Sequence, residues 1–99
     1  MRPTDSPEAV PAPVATLEGV DELENLRIRG ELMVQIKRLI RERRLTQTDA
    51  AKIFRVSQPR VSDLVRGKAD RFSIDALVTM LYYAGEEVSL VVRPRQKVA

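Results

Sequence analysis

Ninety-nine residues with a formal net charge of +3 make one small domain. The chain has no cysteine and no histidine, which excludes disulfides, thiolate chemistry, imidazole metal ligands and an imidazole general base. No apolar run is long enough to span a membrane, and MRPTDSPEAVPAPVAT lacks the apolar core of a secretory signal, so a cytoplasmic protein is expected.

Aromatic residues are scarce, so the core must be aliphatic. Residues 1–20 hold four of the six prolines, Pro3, Pro7, Pro11 and Pro13. Such a segment buries too little apolar surface to offset its ordering entropy, and a disordered tail is expected. From Asp21, DELENLRIRGELMVQIKRLIRERR sets Leu23, Leu26, Met33, Ile36 and Ile40 at helical spacing, with Leu32 and Leu39 beside them. Gly30 interrupts the stripe at about 1 kcal/mol against Ala. One helix over 22–43 is favoured over two broken near Gly30.

Thr46 is a good N-cap with Asp49 three residues on, opening the short helix QTDAAKIF, which buries Ala50, Ile53 and Phe54. After the turn Arg55-Val56, Ser57 caps a second short helix with a narrow apolar stripe of Val61, Leu64 and Val65. Pro59 sits in its first turn, where the missing N–H costs nothing, and Gly67 ends it. Beyond the loop KADRF, Ser73 caps a fourth helix with Ile74, Leu77, Val78 and Leu81 inward. Tyr82 and Tyr83 read as core and interface packing, and Gly85 is the stop. EEVSLVVRP then alternates, predicting a strand over about 86–93 halted by Pro94, with 96–99 a short tail.

Charge is segregated along the chain. Residues 1–31 carry three basic and seven acidic side chains, residues 32–72 eleven and four, and residues 73–99 three of each. A basic middle block points to a polyanion, nucleic acid first, although solvated helix faces without a partner give the same pattern. Two short capped helices joined by a tight turn suggest a helix-turn-helix. In that unit the first helix crosses the DNA backbone and the first turn of the second reaches base edges in the major groove. Val61 and Leu64 anchor the second helix from behind, leaving Gln58, Arg60, Ser62 and Asp63 as its donors and acceptors.

The stretch LTQTDAAKIFRVSQPRVSDLVRGK, Leu45 to Lys68, resembles the lambda-repressor/Cro-like, or XRE-type, helix-turn-helix family, whose pattern is close to LTQxxLAxxxGVSxxxVSxxExG. With the following RFS, a further helix and EVSLVVRP, residues 22–95 are similar to a small branch containing HigA-type antitoxins. The resemblance implies a mainly α fold: a four- to five-helix lambda-repressor-like domain over 21–95 with one C-terminal strand paired across a dimer. It implies that Gln47 bonds a phosphate oxygen. Ser57, Gln58 and Pro59 would form the tip of the recognition helix, with Gln58 reading a base edge, adenine by geometry. Asp63 would face the bases one turn later, and Arg66 and Lys68 would touch the DNA backbone. Helical geometry turns Arg60 outward, toward a guanine or a phosphate. Asp63 can instead pair with Arg66 or Arg60 as helix neighbours do. Arg41, Arg43 and Arg44 read as a mostly solvated helix end.

Two positions depart from the pattern. Arg55 stands where the turn usually has Gly, so a positive φ there would be strained by roughly 1 kcal/mol. Pro59 replaces a commonly polar residue and can only pack, for example on a thymine methyl.

A lone strand needs a partner for its backbone and its apolar face. Pairing with the same strand of a second copy, about a two-fold axis, is the economical solution. It sets two recognition helices about one turn of DNA apart, roughly 34 Å, to read an inverted-repeat operator. The strand can alternatively augment a toxin's sheet. The expected function is a homodimeric, sequence-specific DNA-binding transcriptional repressor, autoregulating as the antitoxin of a cognate toxin and held at the nucleoid through DNA. A free-standing XRE-type regulator, and an interaction module that keeps the fold without reading DNA, are the alternatives. No nucleophile–base pair, metal cluster or phosphate loop supports an enzyme, and no cofactor is implied.

Overall fold

The computed structural model describes residues 18–96, with side chains from Asp21 onward. Four helices follow one another: α1 (Glu18–Glu42), α2 (Gln47–Phe54), α3 (Gln58–Val65) and α4 (Ile74–Tyr83), with one 3-10 turn, Ala69–Arg71, between α3 and α4. The first seventeen residues and the last three, where most of the expected tails fall, lie outside the described residues. Helix α1 begins three residues earlier than the Asp21 boundary.

Helix α1 is one continuous helix across Gly30. Most of its residues are good helix formers, and side chains three or four apart pair along its surface: Arg27 with Glu24 and Glu31 at 2.7 Å, Arg38 with Glu42 at 2.9 Å. Being exposed, each pair is screened by solvent and adds little.

Each of α2, α3 and α4 opens on a hydroxyl N-cap, and each of the four helices closes in the same way. Thr46, Ser57 and Ser73 accept from the backbone N–H three residues on, at 3.0, 3.3 and 3.0 Å. At the far ends a left-handed residue turns the chain: Arg44 (φ 54°), Arg55 (φ 60°), Gly67 (φ 78°) and Gly85 (φ 87°). The next N–H bonds back five residues: Leu45 to Ile40, Val56 to Ala51, Lys68 to Asp63 and Glu86 to Leu81, at 2.9–3.0 Å. This is the Schellman arrangement, and it satisfies carbonyls that a helix end would orphan.

The core is where the four helices meet. Ile36 of α1, Phe54 of α2, Val61 and Leu64 of α3, and Leu77 of α4 are its largest fully buried side chains. Met33, Leu39, Ala50, Met80, Leu81 and Ala84 extend it, and Phe72, expected in a loop, is buried beside them.

Several expectations are corrected. The strand over 86–93 is not formed: among the described residues there is no strand, and residues 87–96 make no backbone hydrogen bond to another described residue. A ladder needs a neighbouring strand, and one copy of this chain supplies none. Leu90 and Val92 are therefore 88% and 94% exposed. Leu23 and Leu26 lie outside the core, because α1 runs past the body that Met33 to Ile40 cover. Tyr82 and Tyr83 are exposed rather than core, packed edge to face at 5.6 Å.

Replacing Ile36, whose side chain is fully buried between helices, by Ala is expected to lower the unfolding free energy by about 2–5 kcal/mol. Urea unfolding followed by circular dichroism measures it, and a loss below about 1 kcal/mol would contradict the placement of α1 in the core.

Candidate nucleic-acid interface

Helices α2 and α3 are eight residues each, too short to persist alone in water. Their caps and buried faces hold them. Thr46 and Asp49 form a reciprocal capping box, Asp49 N–H donating to Thr46 Oγ1 at 3.0 Å and Thr46 N–H to Asp49 Oδ2 at 3.4 Å. Ala50 and Phe54 bury against Val61 and Leu64, fixing the two helices face to face.

The turn between them carries Arg55 in the left-handed region, so the geometry usual for glycine is kept without one. The Arg55 guanidinium lies 4.2 Å from the centre of the Tyr83 ring on α4. A cation over an exposed ring is worth about 0.5–1 kcal/mol, which offsets most of the roughly 1 kcal/mol backbone strain.

Turn and tip occur twice. Arg44-Leu45-Thr46-Gln47 and Arg55-Val56-Ser57-Gln58 are eleven positions apart and adopt the same conformation. In each a left-handed Arg is followed by a half-buried aliphatic residue, a hydroxyl N-cap and an exposed Gln at the first helical position. Gln47 and Gln58 thus sit at matching places on the leading ends of α2 and α3. The RLTQ/RVSQ repeat is the sequence signal that marks them as a pair.

The outward side of α3 bears Gln58, Pro59 and, a turn on, Ser62 and Arg66; Ser57 is exposed at its cap. Val65 is partly exposed at the edge of this face instead of joining the apolar stripe. Arg60 does not point outward. It is half-buried, donates from Nη1 to the Arg71 carbonyl at 2.7 Å and stacks 4.4 Å from the Phe72 ring centre. Helical projection explains this: Arg60 lies nearer the side of Leu64 than that of Gln58, and the 3-10 turn occupies the space there.

Asp63 is also turned to that loop. Its carboxylate takes Arg71 at 3.1 Å and Lys68 at 4.0 Å, not Arg66 or Arg60. From the other side Arg29 of α1 donates to the carbonyls of Ala69 at 2.7 Å and Phe72 at 3.4 Å. Arg29, Arg60, Asp63 and Arg71 together lock residues 68–72 behind the recognition helix. Arg29 and Arg71 had no signal in the sequence, because their partners are backbone carbonyls or a carboxylate remote in the chain. Among the described residues no group of three or more acidic side chains could hold a metal, and no helix is long and apolar enough to cross a membrane.

Two outcomes follow for stability. Arg55→Gly is expected to change it by less than about 0.5 kcal/mol in the native chain, but to raise it by about 1 kcal/mol in a Tyr83→Ala background, where no stacking is lost. Equal effects in both backgrounds, by urea titration, would contradict the compensation. Arg60→Ala should destabilise by about 1–2 kcal/mol and move the backbone amide NMR signals of residues 69–72; unmoved signals would show that it does not brace the loop.

A family model described as a helix-turn-helix domain matches residues 15–93. No curated protein matches the chain. A solved chain assigned to the XRE family of transcriptional regulators is 31% identical, with a TM-score of 0.71 over 79% of this chain and 90% of that one. The family model spans most of the sequence, the solved relative matches in both sequence and fold, and the paired tips stand on two helices closed by a tight turn. The chain belongs to the helix-turn-helix domain family, in its XRE-type branch.

Proposed function

We propose that this chain is a sequence-specific DNA-binding transcriptional repressor that works as a homodimer on an inverted-repeat operator. The observation that carries the reading is the pairing of Gln47 and Gln58 at equivalent exposed helix starts of a rigid helix-turn-helix. The likeness to an XRE family regulator supports it. In this reading Gln47 and the backbone N–H groups at the start of α2 hold a phosphate. Gln58 presents its amide to a base edge, adenine N6 and N7 being the geometric match, and Pro59 packs on a thymine methyl. Ser57 serves first as the cap. Arg66 and Lys68 sit past the end of α3 and take the DNA backbone. Arg60 and Asp63 set the angle of α3 through the loop behind it, and read no base directly.

The homodimer forms by antiparallel pairing of residues 86–93. The unpaired backbone of residues 87–93 and the exposed Leu90, Val91 and Val92 call for a partner strand. Within this function we place the chain as the autoregulating antitoxin of a toxin–antitoxin pair. The support is the resemblance of Leu45–Lys68 and the EVSLVVRP tail to that branch. A neighbouring gene whose product copurifies as a complex and tightens operator binding would bear this out; its absence leaves a free-standing regulator.

Footprinting on the chain's own upstream promoter is the direct test, and no protection there at low salt would sink the DNA reading. Affinity should fall steeply as salt rises, since each neutralised phosphate releases counterions. Gln58→Ala is expected to cost about 1–3 kcal/mol and relax one base pair per half-site, whereas Gln47→Ala should weaken all sequences alike. Binding titrations against single-base operator variants separate the two roles, and an exchange of those patterns would refute the assignment.

A further inference from the structure

Every side chain from Asp21 to Ile28 is exposed, so the first turns of α1 stand clear of the body. A helical arm without tertiary cover is marginal in water, and its solvent-screened surface ion pairs add little. The arm is also apolar along one side. Leu23, Leu26 and Val34 are 70%, 46% and 59% exposed, on a face that adjoins Met33 and turns away from Ile36 and Leu39.

Gly30 lies at the centre of that face. It is the midpoint of Glu18–Glu42, with twelve residues on either side. A Cβ there would meet nothing within 4 Å, so no packing inside the chain requires glycine. What glycine does is leave a shallow open notch lined by Arg27, Gly30, Glu31, Val34 and Gln35. A glycine that costs a helix about 1 kcal/mol is accounted for when another backbone approaches it closely.

We infer that α1 packs against α1 of a second copy of this chain, antiparallel and crossing at Gly30. That register sets Leu26 of one copy on Val34 of the other and brings Leu23 beside the aliphatic stem of Lys37. It also brings the acidic half of α1, with Glu22 at the flank of the face, toward Lys37 and Arg41 of the other copy. A parallel pairing would set acid on acid and base on base. A helix that is acidic in its first half and basic in its second, with glycine in the middle, is self-complementary when antiparallel, which selects a second copy over an unrelated partner.

The tail fits the same axis. Arg43 and Glu86, 3.1 Å apart, tie its start to the C-terminal end of α1. With its start held at the C-terminal end of α1, the tail can share one two-fold axis with the helix crossing. The inference deepens the dimeric part of the proposed function and is independent of DNA contact.

Sedimentation equilibrium of the full chain without DNA tests it. A dimer is expected. Gly30→Gln, a better helix former but bulky, should weaken the dimer by at least about tenfold while far-ultraviolet dichroism shows no loss of helix. Glu22→Lys and Lys37→Glu should each weaken it, and the two together should restore it. Within one helix these positions are roughly 22 Å apart, too far to pair, so the rescue can only come from the other copy. A monomer at every concentration, a dimer indifferent to Gly30→Gln, or charge reversals without rescue would overturn the α1 interface. Val92→Asp separates the two surfaces. If it alone breaks the dimer, tail pairing stands and the helix crossing falls; if only the α1 variants do, the reverse holds; if both do, the shared axis stands.

Discussion

Three residues, Arg55-Val56-Ser57, hold the reading unit together. Helices of eight residues do not persist alone, so the relative angle of α2 and α3 is set by how one ends and the other begins. The turn does both at once. Arg55 enters the left-handed region, Val56 sends its N–H back to Ala51 while its side chain packs on the core, and Ser57 caps α3. The shortness leaves the helices little freedom to vary that angle. Because the Arg55 guanidinium rests on Tyr83, the turn is tied to α4 as well. The tip bearing Gln58 is rigid because a left-handed backbone, a hydroxyl cap and a ring on a third helix agree on one geometry.

The same economy governs the basic residues. A positive block in the sequence suggests charge free to meet phosphate, but much of it is already engaged inside the fold. Arg43 holds Glu86, Arg55 rests on Tyr83, Arg60 bonds the Arg71 carbonyl, and Arg71 holds Asp63. Arg29 closes the loop from α1. Guanidinium suits this work because its fork of donors can reach two carbonyls or stack on a ring while staying charged. Arg55 and Arg60, whose partners are a ring and a carbonyl, keep their full charge, whereas Arg43 and Arg71 are offset by Glu86 and Asp63.

Local rules were well read from the sequence. The caps Thr46, Ser57 and Ser73, the stops Gly67 and Gly85, and the core positions Ile36, Phe54, Val61, Leu64 and Leu77 each follow from a few neighbouring residues, and each is found in place. What failed depended on a remote partner. Arg60 is expected to face outward, yet it flanks the buried side of α3, and no local pattern contains the 3-10 turn that captures it. Leu23 and Leu26 match the helical period but have no opposing core within one chain. The 86–93 segment has the alternation of a strand and lacks only the neighbour that would make it one. Periodicity states which face a residue takes, and the rest of the molecule decides what stands opposite that face.

Those unmatched surfaces bear on how the tip can discriminate. With Arg60 and Asp63 occupied behind α3, Pro59 unable to hydrogen-bond and Ser62 short and half-buried, Gln58 is, on the proposed reading, the principal amide reader of one copy. One good bidentate contact is worth about 1–3 kcal/mol, roughly a ten- to hundredfold preference for its base. Selecting an operator among genomic sites takes about 10³–10⁷ over non-specific binding. Two copies held at a fixed spacing add their preferences and require both half-sites at once, and DNA shape between them contributes further. On the proposed reading, so sparse an inventory requires pairing, which would make the exposed stripe of α1 and the unpaired tail as relevant to sequence choice as the recognition helix itself.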